Sequence, residues 1–537
     1  MKKFFLIQPN ILSAASVLMV MVFLSRLLGL LRDRFLAGVF FGPDSAWQLD
    51  VYFAAFRLPD MIFQLLVVGA FSAAFIPVFS RYLSSDETEA WHVASTVITI
   101  GCLFFLALSL LLLIFTWPLS RLIAPTFSPS ELTLMVQLTR VLLAAQIFFL
   151  LSNFATGILQ SKHHFLLPAL SPVVYNLGII FGIVALSPAL GIFGPAVGVI
   201  IGAFLHLIIQ LPVLKELGYC YRFSVDFKHP GVRRIGRLML PRTMALAVSQ
   251  IELTMAVFIA TSLSAGSLAI FYFAQHLNSL PVGLFGATIG QAALPSFSQQ
   301  HSDESLAKFK ALFITTLNQV LYLSLPAGMI LLVLRLPAVR LAFGARNFPW
   351  EATLLTGQAV ALFAISVFAQ SAIQILVRGF YALANTKIPL FIGSLSVLVN
   401  VLLSLLFVYR FNLGVVGLAL AISLASFFQA GLLLIFLSRL VGGFAFDQLF
   451  KPFFKMSLAT ILTGFSLWAP LRLLDRYILN TTKTFDLIIL SSVTVLIGLS
   501  VYVFLSKLLQ IEELNGFLTL TKRLKNLALE TTPAPSS

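Results

Sequence analysis

Apolar residues fill this chain in long runs, and polar residues gather in the short gaps between them. A helix that crosses a bilayer needs about 20 predominantly apolar residues. Fourteen stretches reach that length, near residues 11–31, 53–80, 92–118, 133–158, 166–188, 191–214, 237–264, 267–297, 310–335, 353–377, 388–409, 412–437, 452–473 and 485–506. Two gaps, 215–236 and 438–451, are polar and basic, and beyond 507 a short basic, amphipathic tail ends in TTPAPSS. The opening MKKFFLIQPNILSAASVLMVMVFL resembles a signal peptide only briefly. It lacks a polar region after a small-residue cleavage site and runs on into Arg26, so it is expected to stay as the first span. The pattern predicts an all-α polytopic membrane protein of about 14 transmembrane helices.

An internal repeat organises these helices. YFAAFRLPDMIFQLLVVGAFSAAFIPVFSRY, from Tyr52, is echoed by YFAQHLNSLPVGLFGATIGQAALPSFSQQ, from Tyr272. Both end on Ala-Ala, then Pro-x-Phe-Ser at Pro77 and Pro295, and both are followed by acidic turns, SSDETEA and HSDESLA. The offset covers six spans, so both copies insert in the same orientation, the parallel-repeat pattern with a pseudo-twofold axis along the membrane normal. The expected organisation is an N-lobe over 1–214 and a linker over 215–236. A C-lobe follows over 237–440, then two extra helices over 441–510 and a tail over 511–537. Two such lobes enclose a central site, and rocking them gives alternating access.

Charge sharpens this picture. The chain is 59% hydrophobic and only 10% charged, against about 25% charged in soluble proteins. Its net charge of +15 is accounted for by basic inner loops and attraction to anionic lipid, and nucleic acid is not expected as a partner. An even number of spans puts both termini on one side. With that side cytoplasmic, inner loops hold roughly twice the Lys and Arg of outer loops, as the positive-inside rule requires. Cys102 and Cys220 give neither a disulfide framework nor a metal site. No loop is long enough for a soluble catalytic domain.

Ionisable groups inside spans are costly, about 2.5–3.5 kcal/mol at a helix centre, and those retained face polar cavities. Arg26, Arg32, Asp33 and Arg34 crowd the first span, and Asp50, Arg57 and Asp60 the second. Arg26 and Asp33 are seven apart and share a helix face, as do Asp50 and Arg57. The planar fork of arginine suits a pyrophosphate, so a cationic cavity implies an anionic substrate head. The competing reading for Arg32, Arg34, Asp50 and Asp60 is a structural ion pair or snorkelling at the membrane edge. Glu252 in span 7, with Asn400 and Ser404 of span 11, forms a candidate coupling site for Na+ or H+. Its alternative is a neutral glutamate, or a partner for Arg242 or His276. His276 divides between cavity and packing roles. Arg378 divides between a cavity and a role against headgroups or a neighbouring loop.

The run Ser25-Arg26-x-Leu-Gly29-x-x-Arg32-Asp33 resembles the MurJ (MviN) family of lipid II flippases. So do Phe41-Gly42, Asp50, Leu58-Pro59, GAFSAAFIPVFSRY from Gly69, the VSQI of span 7 and GFYALANTKIP from Gly379. The resemblance spans essentially the whole chain. It implies the MOP exporter superfamily, with two six-helix lobes and two further helices forming a groove for a lipid tail. It implies movement of lipid II, the undecaprenyl-pyrophosphoryl disaccharide-pentapeptide, from the inner to the outer leaflet of the bacterial cytoplasmic membrane for cell wall synthesis. The implied substrate-binding residues are Arg26, Arg32, Asp33 and Asp50, assisted by Arg57 or His276. Membrane lipids and other cell-wall synthesis proteins are candidate partners. No cofactor is implied beyond a coupling ion or the membrane potential. The chain departs from the family where members carry a basic residue after the Leu-Pro (here Phe63), a Glu before the GAF (here Val68), and an Asp-Arg pair in span 8 (here Gln275-His276).

Three alternatives remain. One is a transporter of another lipid-linked oligosaccharide, or a cation-coupled exporter of the same superfamily. The second is a membrane enzyme, for which no acid cluster or His-acid pair is found at a membrane face. The third is a non-transporting scaffold. No Walker motif appears, so ATP is not the direct driver.

Overall fold

A computed structural model describes residues 11–42, 44–298, 303–345 and 347–515. The extreme N-terminus, the first two residues of the second acidic turn (301–302) and most of the expected basic tail lie outside the described residues; the acidic part of that turn, Asp303 and Glu304, starts α14. Among the described residues twenty α-helices follow one another. They are α1 (Ile11–Phe40), α2 (Ala46–Ala55), α3 (Arg57–Phe63), α4 (Ser72–Ser85), α5 (Glu87–Ile123), α6 (Pro129–Ser161) and α7 (Leu166–Phe181). Next come α8 (Ser187–Leu190), α9 (Phe193–Ile208), α10 (Leu211–Glu216), α11 (Pro230–Ala260), α12 (Ser267–Pro281), α13 (Thr288–Ser298) and α14 (Asp303–Val333). The last are α15 (Arg335–Phe343), α16 (Trp350–Ala382), α17 (Lys387–Leu405), α18 (Gly414–Leu440), α19 (Phe446–Tyr477) and α20 (Thr484–Leu508).

Eleven helices among the described residues are long and apolar enough to cross a membrane. The expected first, second and seventh spans are helical too, but differ in form. The first, α1, runs to Phe40 and carries all four of its charges inside the helix. The second is broken into α2, α3, a π-helical segment over Gln64–Phe71, and α4. The seventh, α11, starts at Pro230 and carries four arginines before Leu246, leaving Leu246–Ala260 as its apolar part.

The break in the second span recurs in the repeat. A π-helical segment over Val282–Ala287 separates α12 from α13, and it begins 218 residues after its counterpart at Gln64. Wide turns of this kind release backbone carbonyls from the i→i−4 ladder. In the first copy the Leu65 carbonyl accepts the Thr243 hydroxyl at 3.2 Å. In the second the Gly283 carbonyl accepts the Thr288 hydroxyl at 3.0 Å. Pairing freed carbonyls with hydroxyls is what makes such a break tolerable in an apolar surrounding.

The chain divides into two compact units. One comprises Met1–Phe273, Ala342–Thr353 and Val408–Val415; the other comprises Ala274–Leu341, Leu354–Phe407 and Val416–Ser537. In the first, α7 and α9 pack through glycines. A Cβ at Gly182 would lie 2.5 Å from the Gly194 carbonyl oxygen, and one at Gly198 would lie 2.9 Å from that of Gly178. Small residues four apart let helix backbones meet where hydrophobicity gives helices no reason to prefer each other over lipid. The helix α6 starts on a capping box, with Ser128 and Glu131 exchanging backbone hydrogen bonds behind Pro129. In the second unit, Phe297, Phe309, Phe313 and Phe380 are fully buried. The Tyr502 hydroxyl there donates to the Tyr322 carbonyl at 2.9 Å, tying α20 to α14.

Candidate functional site

The charges of α1 are organised around Asp33. Its side chain is 1% exposed, so its charge requires a partner. Arg32 supplies one: Nε–H and Nη2–H donate to Asp33 Oδ1 at 3.0 and 2.8 Å. Spacing along the helix points to Arg26 as a partner, and the structure adds Arg32. Adjacent side chains diverge by about 100°, but the long Arg32 stem folds back over the carboxylate. The third nitrogen, Nη1, donates to Asn176 Oδ1 of α7 at 3.2 Å. Asn176 then donates to the Ser25 carbonyl at 3.2 Å and the Ser25 hydroxyl at 3.3 Å, clasping α1 at two points. Arg32 keeps two of its five N–H donors, and its side chain stays 19% exposed. Arg26 lies on the same helix, partly buried.

Asp50 and Arg57 are both buried, and they face different helices. Asp50 accepts Gly266 N–H at 2.6 Å on one oxygen and Ala269 N–H at 2.9 Å on the other. These are orphan donors at the start of α12, which has no acidic residue in its own first turn. A carboxylate there satisfies the donors and meets the positive end of the helix dipole. Gly266 is suited to this turn: its φ is +89°, and a Cβ would come within 2.9 Å of the Phe41 ring. Arg57 donates Nε–H to the Thr254 hydroxyl at 2.9 Å, and Nη2 to the Gln250 carbonyl at 3.1 Å and to the Gln250 side-chain oxygen. It thereby bonds α3, just before the π-helical break, to α11.

The remaining sequence candidates are Glu252, His276, Asn400 and Ser404. Glu252 is partly buried on α11, in the first unit. His276, on α12, and Asn400 and Ser404, on α17, belong to the second. Asn400 and Ser404 are buried one turn apart, and the Ser404 hydroxyl donates to Asn400 Oδ1 at 3.3 Å. Among the described residues no three His, Cys, Asp or Glu side chains gather as a metal site.

A model of the family described as "Lipid II flippase MurJ" matches residues 40–509. The chain belongs to the MurJ family. A probable lipid II flippase MurJ of Thermotoga maritima is 30% identical over 504 residues, spanning 92% of this chain and 96% of that protein. A solved structure of lipid II flippase MurJ in an inward closed conformation superposes with a TM-score of 0.76 at 26% identity, covering 91% of this chain and 98% of that one. An inward-facing multidrug resistance MATE family transporter of the MOP superfamily shares the fold at 14% identity and a TM-score of 0.65, covering 78% and 94%. The chain is accordingly an integral membrane protein of a transporter family.

Phe63, where the MurJ resemblance leads one to expect a basic residue, is absorbed into an aromatic group. Its ring lies 5.5 Å from Phe149, which packs edge-on to Tyr175 at 4.9 Å and His206 at 5.6 Å. The phenyl ring fits these aromatic surroundings. Sequence reasoning missed Asn176, Gln250 and Thr254. Each is an uncharged polar side chain in a long apolar run, and that pattern is the signal that marks them.

Proposed function

We propose that this chain moves lipid II from the inner to the outer leaflet of the bacterial cytoplasmic membrane, by alternating access between an N-lobe over 1–214 and a C-lobe over 237–440. In this reading both termini are cytoplasmic, and the undecaprenyl tail runs along the helices of 441–510. The observation that carries it is Arg32: a guanidinium inside an apolar helix bundle, held by Asp33 and Asn176, with two N–H donors left. A group fixed before substrate arrives loses little entropy on binding. Arg26, two turns earlier on α1, adds a second positive charge toward a pyrophosphate.

Asp50 and Arg57 act in this reading by positioning, holding the starts of α12 and α3 on which the broken helices pivot. Coupling to Na+ or H+ is assigned to Glu252, Asn400 and Ser404. The membrane potential contributes about 2.3 kcal/mol per charge per 100 mV to the return step. The test is transfer of a fluorescent lipid II analogue across vesicles holding the purified protein. Transfer above that of empty vesicles, lost in Arg26→Ala and Arg32→Ala, is the expected result. No transfer by correctly folded protein overturns the reading.

A further inference from the structure

The second unit holds a polar track that the charge pattern of the sequence does not reveal. On α16, Ser366, Gln370, Gln374 and Arg378 recur every four residues, a single ridge about 18 Å long at 1.5 Å per residue. Its members are linked or face neighbours. Gln370 Nε2 donates to the Ser366 hydroxyl at 2.8 Å, and Gln370 Oε1 accepts from Asn278 of α12 at 3.0 Å. Gln374 lies about 180° around the helix from Ile365, at about 100° per residue, and Ile365 is the residue that exposes an apolar side chain on this stretch. The polar ridge therefore turns away from that apolar surface. Two buried polar atoms beside it, Asn278 Oδ1 and Ser371 Oγ, have no protein partner. Buried polar atoms of this kind call for water or a polar ligand group.

The ridge ends on Arg378, whose guanidinium is seated by two features. Its Nη1 donates to the Gln374 carbonyl at 2.7 Å and to Gln374 Oε1 at 3.3 Å. It rests on Gly290 of α13, where a Cβ would lie 2.5 Å from Nη1 and 3.0 Å from Cζ. The seat exists because residue 290 has no side chain. Its two partners are neutral oxygens, so the positive charge of Arg378 is not cancelled by a carboxylate in these bonds. The Nε–Nη2 edge, the edge that grips two oxygens of one phosphate or carboxylate, has no protein partner among the described residues.

We infer that Arg378, seated on Gly290 at the end of the α16 ridge, is a phosphate-binding residue that receives the pyrophosphate of the lipid-linked substrate, with the ridge above it a hydrated path for the polar head. This rests on the proposed flippase activity. The test measures binding of undecaprenyl pyrophosphate, and separately of phosphatidylglycerol, to the full-length protein in detergent. Arg378→Ala is expected to weaken undecaprenyl pyrophosphate binding about 10-fold, as for the loss of one charge-assisted hydrogen-bonded contact. Arg378→Lys keeps the charge, loses the fork and recovers only part of the affinity. Gly290→Ala keeps residue 378 an arginine but pushes its guanidinium from the seat, weakening binding by about 3-fold, a smaller share of the same contact. Unchanged binding in both Arg378→Ala and Gly290→Ala overturns the inference. Equal losses for both lipids also overturn it, because the edge then reads any phosphate headgroup. Failure of the wild-type protein to transfer lipid II removes the flippase reading, whereas the binding difference between wild type and Arg378→Ala is read independently of transfer.

Discussion

Arg32 and Arg378 are two arginines inside apolar helix bundles, and they are held in opposite ways. Arg32 gives its Nε–Nη2 edge to a carboxylate, Asp33. Arg378 gives only Nη1, and gives it to neutral oxygens of Gln374. The first arrangement fixes the group and cancels much of its charge. The second leaves charge and fork available while a glycine supplies the fit. Burial of an arginine alone therefore does not identify an anion ligand; which edge is already occupied does. Arg32 reads as the anchor of α1 with donors to spare, and Arg378 as an open receptor.

This contrast separates stability from binding. Replacing Arg32 by alanine takes a charge partner from the buried Asp33 carboxylate. It should cost about 3–5 kcal/mol of stability, as for breaking a buried ion pair, seen as a large drop in the thermal unfolding midpoint together with loss of transfer. Asp50→Asn keeps the shape but loses the charge and one acceptor at the α12 N-terminus. It should cost about 1–2 kcal/mol in the same measurement. Asn176→Ala leaves the Arg32–Asp33 pair intact and removes the clasp to Ser25, costing about 1 kcal/mol, with transfer reduced but not abolished. Arg378→Ala should shift stability by less than about 0.5 kcal/mol, the range for substitutions that strand no buried charge. A stability loss at Arg378 as large as that at Arg32 would erase the distinction between the two sites.

Much of the fold is legible in the sequence, because apolar runs of membrane-spanning length have few alternatives to a helix. The repeat is legible too, and the structure places a π-helical break in both copies at the spacing the repeat implies. What could not be read was partnership. Helix periodicity puts Arg26 and Asp33 on one face and gives Arg32 no part there, yet Arg32 bonds Asp33, because a flexible arginine stem reaches groups that a rigid helical wheel separates. Asp50 and Arg57, seven apart, read as one stripe, yet Asp50 bonds the start of α12 and Arg57 bonds α11. Uncharged polar residues such as Asn176, Gln250 and Gln374 carry no alarm in a charge survey, yet each decides where a guanidinium points.

By itself, the sequence determined that the chain is helical, membrane-bound, internally repeated and a MurJ relative, because hydropathy and motif spacing are local properties of the chain. Only the tertiary structure decided which donors remain open. That depends on side chains 144 residues apart in one case, Arg32 and Asn176, and on the missing Cβ of Gly290 in the other. A hydrogen-bonding edge is open or closed according to what packs against it, and that is settled when the helices meet.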